Sequence, residues 1–90
     1  MSAKVELIEL RSACRAWSIS RRTASRWIAA GLAPMPIRNG THKSVLLSHE
    51  VTALVGARLA GWTDDEVRRL VAQLMAKRPM VAAELLAEAA

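Results

Sequence analysis

Three arginines, Arg21, Arg22 and Arg26, stand close together among Ser20, Thr23, Ser25 and Ala29. A guanidinium can grip a phosphate or pair two-pronged with a guanine edge. A serine hydroxyl suits a base or a phosphate, and an alanine permits close approach or touches a thymine methyl. At about 100° per residue, Arg21, Arg22, Ser25, Arg26 and Ala29 fill one arc of roughly 140°. Ser20, Ala24, Trp27, Ile28 and Gly31 gather in an opposing arc of roughly 100°. One side is made to bury and the other to present cations. Such a helix fits the major groove of duplex nucleic acid.

A second polar group follows at Arg38, Asn39, Thr41, His42 and Lys43. On a hairpin tip these residues would clamp a neighbouring phosphate or reach into a minor groove. An ordinary polar turn explains any single one of them nearly as well. A solvated helix face is likewise the bland explanation for the arginines. The turn before them and the hairpin after them favour DNA reading.

Other chemistries find less support. His42 and His49 lack ligand-spaced partners, so no metal or cofactor is expected. Cys14 is the one cysteine; it reads as a small packing residue, and a lone thiol fits a reducing, cytoplasmic setting. Asp64, Asp65 and Glu66 resemble a carboxylate cluster, but they fall in a helix's first turn, where the dipole favours negative charge. No nucleophile or phosphate-cradling glycine loop accompanies them, and no enzyme is expected. Trp17, Trp27 and Trp62 are the only aromatics. Their spacing with apolar neighbours makes them core or staple residues rather than a platform for single strands.

The elements that must position the arginines are written around them. Leu10, Ala13, Cys14 and Trp17 mark a first helix, Leu10–Trp17, after a loose Met1–Lys4. Ser18-Ile19-Ser20 breaks it, and Ser20 is placed to cap a second helix that stops at Gly31. Two short helices joined by about three residues form a helix-turn-helix. Pro34 and Pro36 forbid continuation. Ile37-Arg38 and Ser44–Leu47 then pair around Asn39–Lys43, with Val45 and Leu47 pointing inward beside Ile37.

Ser48 is expected to cap a third helix carrying Val51, Leu54, Val55 and Leu59 on its apolar face and ending at Gly61. Thr63-Asp64-Asp65-Glu66 is a capping box, with Trp62 and Val67 as its hydrophobic staple. Val67, Leu70, Val71, Leu74 and Met75 form a stripe that either completes the core, the slightly favoured reading, or docks a partner. Pro79 opens a last short helix, Met80–Glu88. Its Met80, Val81, Leu85 and Leu86, with Leu46 on the wing, are expected to be exposed for protein contact. The chain thus divides into a DNA-binding domain at 1–78, including helix 63–78, and a short helix or tail at 79–90.

Ninety residues support one small core, and 52% of them are hydrophobic, so the chain is no disordered tail. The net charge is +5, unevenly spread. Residues 1–43 hold eight Lys/Arg against two Glu, whereas residues 44–90 hold five against six acidic residues. The cations collect where an electrostatic footprint is needed. No signal peptide or membrane-spanning run is seen.

Residues 10–59 resemble the AlpA-like phage and prophage regulators and the related excisionases, which share a MerR-like winged-helix fold. The likeness rests on Ser20, Thr23, Arg26, Ile28, Gly31, Pro34, Pro36, Arg38, Gly40, Ser44, Val45, Glu50 and Val51. It departs at Ser25, Leu46 and Leu47, where the family commonly has Tyr, Arg and Trp. The resemblance implies specific duplex DNA binding in a phage or integrative element, either in transcription regulation or as a recombination directionality factor beside a tyrosine integrase. The fold expected is mainly α: a winged helix-turn-helix with a two-stranded wing and C-terminal helices. Ser20, Arg21, Arg22, Thr23, Ser25, Arg26 and Ala29 would read the major groove, and Arg38, Asn39, Thr41, His42 and Lys43 would form the wing contacts. Expected partners are double-stranded DNA, further copies on adjacent sites, and an integrase or RNA polymerase, without a membrane. The rival is a protein–protein adaptor that docks through the C-terminal helices, its charge incidental.

Overall fold

The computed structural model describes residues 5–40 and 43–89. The expected loose run at Met1–Lys4 and the hairpin residues Thr41 and His42 lie outside them. Leu10, Ala13, Cys14 and Trp17 bury one face of α1 (Leu10–Trp17). Ser18 ends that helix in the left-handed conformation, φ 57°. Its N–H bonds back to the Arg15 carbonyl and that of Ile19 to the Cys14 carbonyl, so the half-buried Ile19 seals the turn. After Ser20 comes α2 (Arg21–Ala29), and Gly31 (φ 76°) makes the left-handed exit that a side chain would strain.

Three short strands form an antiparallel sheet of order β1-β3-β2. β2 (Ile37–Arg38) and β3 (Ser44–Leu47) are the hairpin pair read from the sequence. β1 (Leu7–Glu9) is an addition, and it makes β3 the central strand, with Leu7 opposite Leu47 and Glu9 opposite Val45. Both faces of β3 are covered, and it is the Leu46 face that packs on the main core. Leu46, expected on an exposed wing surface, is fully buried in the main core, and Ile8 opposite it packs there too. Val45 and Leu47 are also buried, but on the opposite face. The expectation that they point into the core with Ile37 is therefore corrected; period-two alternation sends them to a second, shallower layer. The groove over that layer is lined by Ile37, Leu47, Val81 and Leu85.

α3 (Ser48–Leu59) departs from expectation at its start and along its face. Ser48 lies inside the helix and does not cap it. Its N–H donates to the Glu6 carbonyl (2.8 Å) and its hydroxyl accepts from the Glu6 N–H (3.2 Å), fastening the chain before β1. The buried face is Glu50, Val51, Leu54 and Ala57. Val55 and Leu59, expected to be apolar contacts, are exposed, because the turn of α3 places small Ala57 against the core instead.

α4 (Asp64–Ala76) starts with the expected capping box. The Thr63 N–H donates to Glu66 Oε1 (3.0 Å), and the Glu66 N–H donates to the Thr63 hydroxyl (3.3 Å). The Thr63 N–H, and the Thr63 hydroxyl that donates to the same Oε1 at 3.0 Å, hold the Glu66 carboxyl below its usual value, and Arg69 adds to the effect. Val67 and Val71 are buried, with Leu70 and Met75 packed beside them, so the stripe completes the core. Trp62 is no core residue. It is 42% exposed and borders a surface hollow with Glu66, Arg69, Leu70 and Gln73.

α5 (Arg78–Ala89) begins with a buried ion pair. Arg78 holds the fully buried Glu50 with two bonds, Nη2 to Oε1 at 2.6 Å and Nε to Oε2 at 3.0 Å. That fork satisfies a carboxylate that would be costly to bury alone. Met80 and Leu86 are exposed as expected, Leu85 is 40% exposed, and Val81 is half-buried. The chain is thus mainly helical with one small antiparallel sheet. Among the described residues no helix is long and apolar enough to cross a membrane.

Candidate nucleic-acid interface

α2 meets the core through Ala24, which is fully buried, and through the half-buried Trp27 and Ile28. Its opposite side leaves Arg21, Arg22, Ser25, Arg26 and Ala29 exposed. Among the described residues no carboxylate lies within salt-bridge distance of the three arginines. Their charge is therefore uncompensated and free to meet an anion. Ser25 donates its hydroxyl hydrogen to the Arg21 carbonyl (3.2 Å), leaving its oxygen lone pairs outward as acceptors.

Ser20 and Thr23 do a different job. The Ser20 hydroxyl accepts from the Thr23 N–H and donates to the Thr23 hydroxyl, both at 3.1 Å. This N-cap satisfies a first-turn amide and fixes where the arginine face begins. Ser20 is exposed rather than turned inward with Ala24.

Two residues absent from the sequence reading fix the far side of α2. Arg58 of α3 stacks over Trp27, with Cζ 4.5 Å from the ring centroid, and reaches Asp64 at 3.4 Å. Its Nε is buried and makes no hydrogen bond among the described residues. Trp27 in turn lies 6.2 Å from Trp17, whose indole N–H donates to the Val51 carbonyl at 3.2 Å. Arg68 of α4 donates from Nε to the Ala30 carbonyl (2.9 Å), placing positive charge at the C-terminal end of α2. The sequence hint for both was faint: each is an arginine on a helix that otherwise reads as balanced surface charge.

The hairpin splits its cations between two faces. Arg38 pairs in register with Ser44 and shares the face of Leu46, whereas Lys43 shares the face of Val45. Asn39 closes the tip through its N–H to the Lys43 carbonyl (2.9 Å), and Gly40 turns with φ 80°. Arg38, Asn39 and Lys43 are exposed. Lys43 is not free: its Nζ lies 3.6 Å from Glu9. Arg15 was also missed. It is exposed and without a carboxylate partner among the described residues, one turn beyond Arg11 on the outer face of α1.

Among the described residues no group of three His, Cys, Asp or Glu is placed to hold a metal ion. Cys14 is buried and unpaired. No protein-family model, curated protein or solved structure matches the chain.

Proposed function

We propose that this chain is a winged helix-turn-helix protein that binds specific duplex DNA without catalysis. In this reading α2 lies in the major groove and the β2–β3 hairpin is the wing beside it. The observation that carries the reading is the outer face of α2. Three arginines without acidic partners stand on a helix held from behind by Trp27, Arg58 and Arg68. A helix with fixed orientation can hold a guanidinium against one base edge, where a loose one only attracts phosphate. The three-residue connection from α1 and the positive first half of the chain support the same assignment.

The resemblance to AlpA-like regulators and excisionases supplies the biological role. The protein acts on phage or integrative-element DNA, as a recombination directionality factor at an attachment site or as a transcription regulator. One module this small covers limited DNA surface, so several copies on repeated or inverted sites give useful occupancy. Footprinting on tiled DNA from the protein's own genetic element tests this. Protection within a recombination site supports excision, and protection over a promoter supports regulation. No protected sequence in the presence of competitor DNA would sink the reading.

The exposed Met80 and Leu86 on α5 favour a second reading, an adaptor that docks a partner protein. An adaptor leaves every duplex unprotected in the same footprint.

A further inference from the structure

We infer that Arg11 and Lys43 form a second backbone-phosphate site in which the Glu9 carboxylate sits as a resident counter-charge that DNA phosphate displaces. The inference rests on the duplex-binding reading above and adds a site outside α2. Glu9 bridges the two cations with different oxygens, Oε2 at 3.7 Å from Arg11 Nε and Oε1 at 3.6 Å from Lys43 Nζ. The sheet register brings this about. Glu9 opposes Val45, so Lys43 is its diagonal neighbour on the same face. Arg11 follows in the first turn of α1.

The carboxylate has no other employment. Glu9 is the N-cap residue of α1, yet its side chain makes no capping hydrogen bond. Both ion pairs are longer than a charge-assisted hydrogen bond. Their side chains are 71% (Arg11), 67% (Lys43) and 47% (Glu9) exposed. Pairs so exposed contribute little to stability, and exchanging one anion for another there is cheap. With Ser44 the three residues line an open hollow of about 350 Å³, room for a phosphodiester group and its nearest waters. A DNA phosphate seated there takes both cations, and Glu9 swings into solvent. Glu9 therefore lowers affinity for any duplex, independent of sequence.

The test uses the full chain and a labelled duplex of scrambled sequence, titrated over a range of salt. Glu9→Gln should tighten binding about three- to tenfold at low salt and steepen the slope of log affinity against log salt by up to about one unit. Glu6→Gln is the control, because Glu6 is exposed and pairs with no cation among the described residues. It removes the same charge and should change affinity much less. In an Arg11→Ala/Lys43→Ala background the gain from Glu9→Gln should vanish, since its beneficiaries are gone. Equal effects of the two Glu substitutions, or a gain that survives in that background, overturn the site while leaving duplex binding by α2 intact. A wild-type chain that binds no duplex at all overturns the duplex reading and this site together.

Discussion

Arg58 and Trp27 come from different helices and stack face to cation, 4.5 Å apart, directly behind the arginine face of α2. The contact joins α3 to α2, and the Trp17–Trp27 pair extends it to α1. The orientation of α2 thus depends on residues that face away from any ligand. Arg58→Ala should cost about 1–2 kcal/mol of stability, as expected for a partly desolvated cation–π contact. It should also weaken specific DNA binding more than binding to scrambled duplex. Arg58→Lys should restore only part, since an ammonium lacks the planar face. Thermal melts and paired titrations measure this, and an unchanged melting temperature in Arg58→Ala would refute the buttress.

The Glu50–Arg78 fork ties the start of α5 to α3 across the core's edge. Removing one partner leaves a buried charge alone, so Arg78→Met should destabilise the protein by about 3 kcal/mol. Glu50→Leu/Arg78→Met should recover most of that loss, because the pair's own net contribution is small. Urea denaturation of the three proteins decides it. A double variant no better than the single one would mean that the fork itself carries the stability.

Truncation after Pro79 keeps Arg78 but removes Val81 and Leu85 from beside Leu47. The shortened chain should remain folded and bind a single site weakly, with stability lower by about 2–4 kcal/mol from re-exposed apolar surface. Cooperative loading on adjacent sites should fall. Circular dichroism melts report folding, and binding curves on one-site and two-site duplexes report cooperativity. A molten truncation would place α5 within the core; equal cooperativity would free the tail of that role.

The capping box gives a pH dependence. The Glu66 carboxyl is lowered from 4.5 by its bonds to Thr63, so folding favours the ionised form. The stabilisation is therefore fully present well above the ordinary glutamate range and is lost as pH falls through the lower folded value. The melting-temperature gap between wild type and Glu66→Gln should be widest near neutral pH and close in acid. A gap independent of pH would show that the carboxylate charge is not what the cap uses.

Much of this architecture was legible from local signals. α1 and α2 follow from the spacing of Leu10, Ala13, Cys14 and Trp17 and from the Ser20 cap, and the Thr63–Glu66 box marks α4 by itself. What was missed is non-local. β1 is three residues long and is defined by pairing with Leu47, forty positions away, so no turn signal announces it. It makes β3 a central strand, and its Ile8, opposite Leu46, packs against the same core. Glu50 and Arg78 each look like solvated charges until the chain folds them together. The arginine face of α2 was legible because a helix displays its own pattern; Arg58 and Arg68, which hold that helix, belong to other elements.

Salt dependence measures how many phosphates the protein meets. Contacts from α2, the hairpin and the Glu9 region to about five to seven phosphates correspond to a slope of log affinity against log salt near −4 to −6. Replacing Arg38 and Lys43 together by Ala should flatten it by up to about two units. An unchanged slope would mean that the hairpin points away from DNA.

The most direct test of the arginine face is a comparison of Arg21→Ala, Arg22→Ala and Arg26→Ala with wild type, on a duplex recovered by footprinting and on its scrambled counterpart. Arg26→Ala should lose about 1–3 kcal/mol on the specific duplex and less on the scrambled one, as expected for a base contact. Arg21→Ala and Arg22→Ala should weaken both duplexes alike, as phosphate contacts do. Wild-type affinity for both duplexes in all three variants would contradict the assignment and remove α2 from the interface.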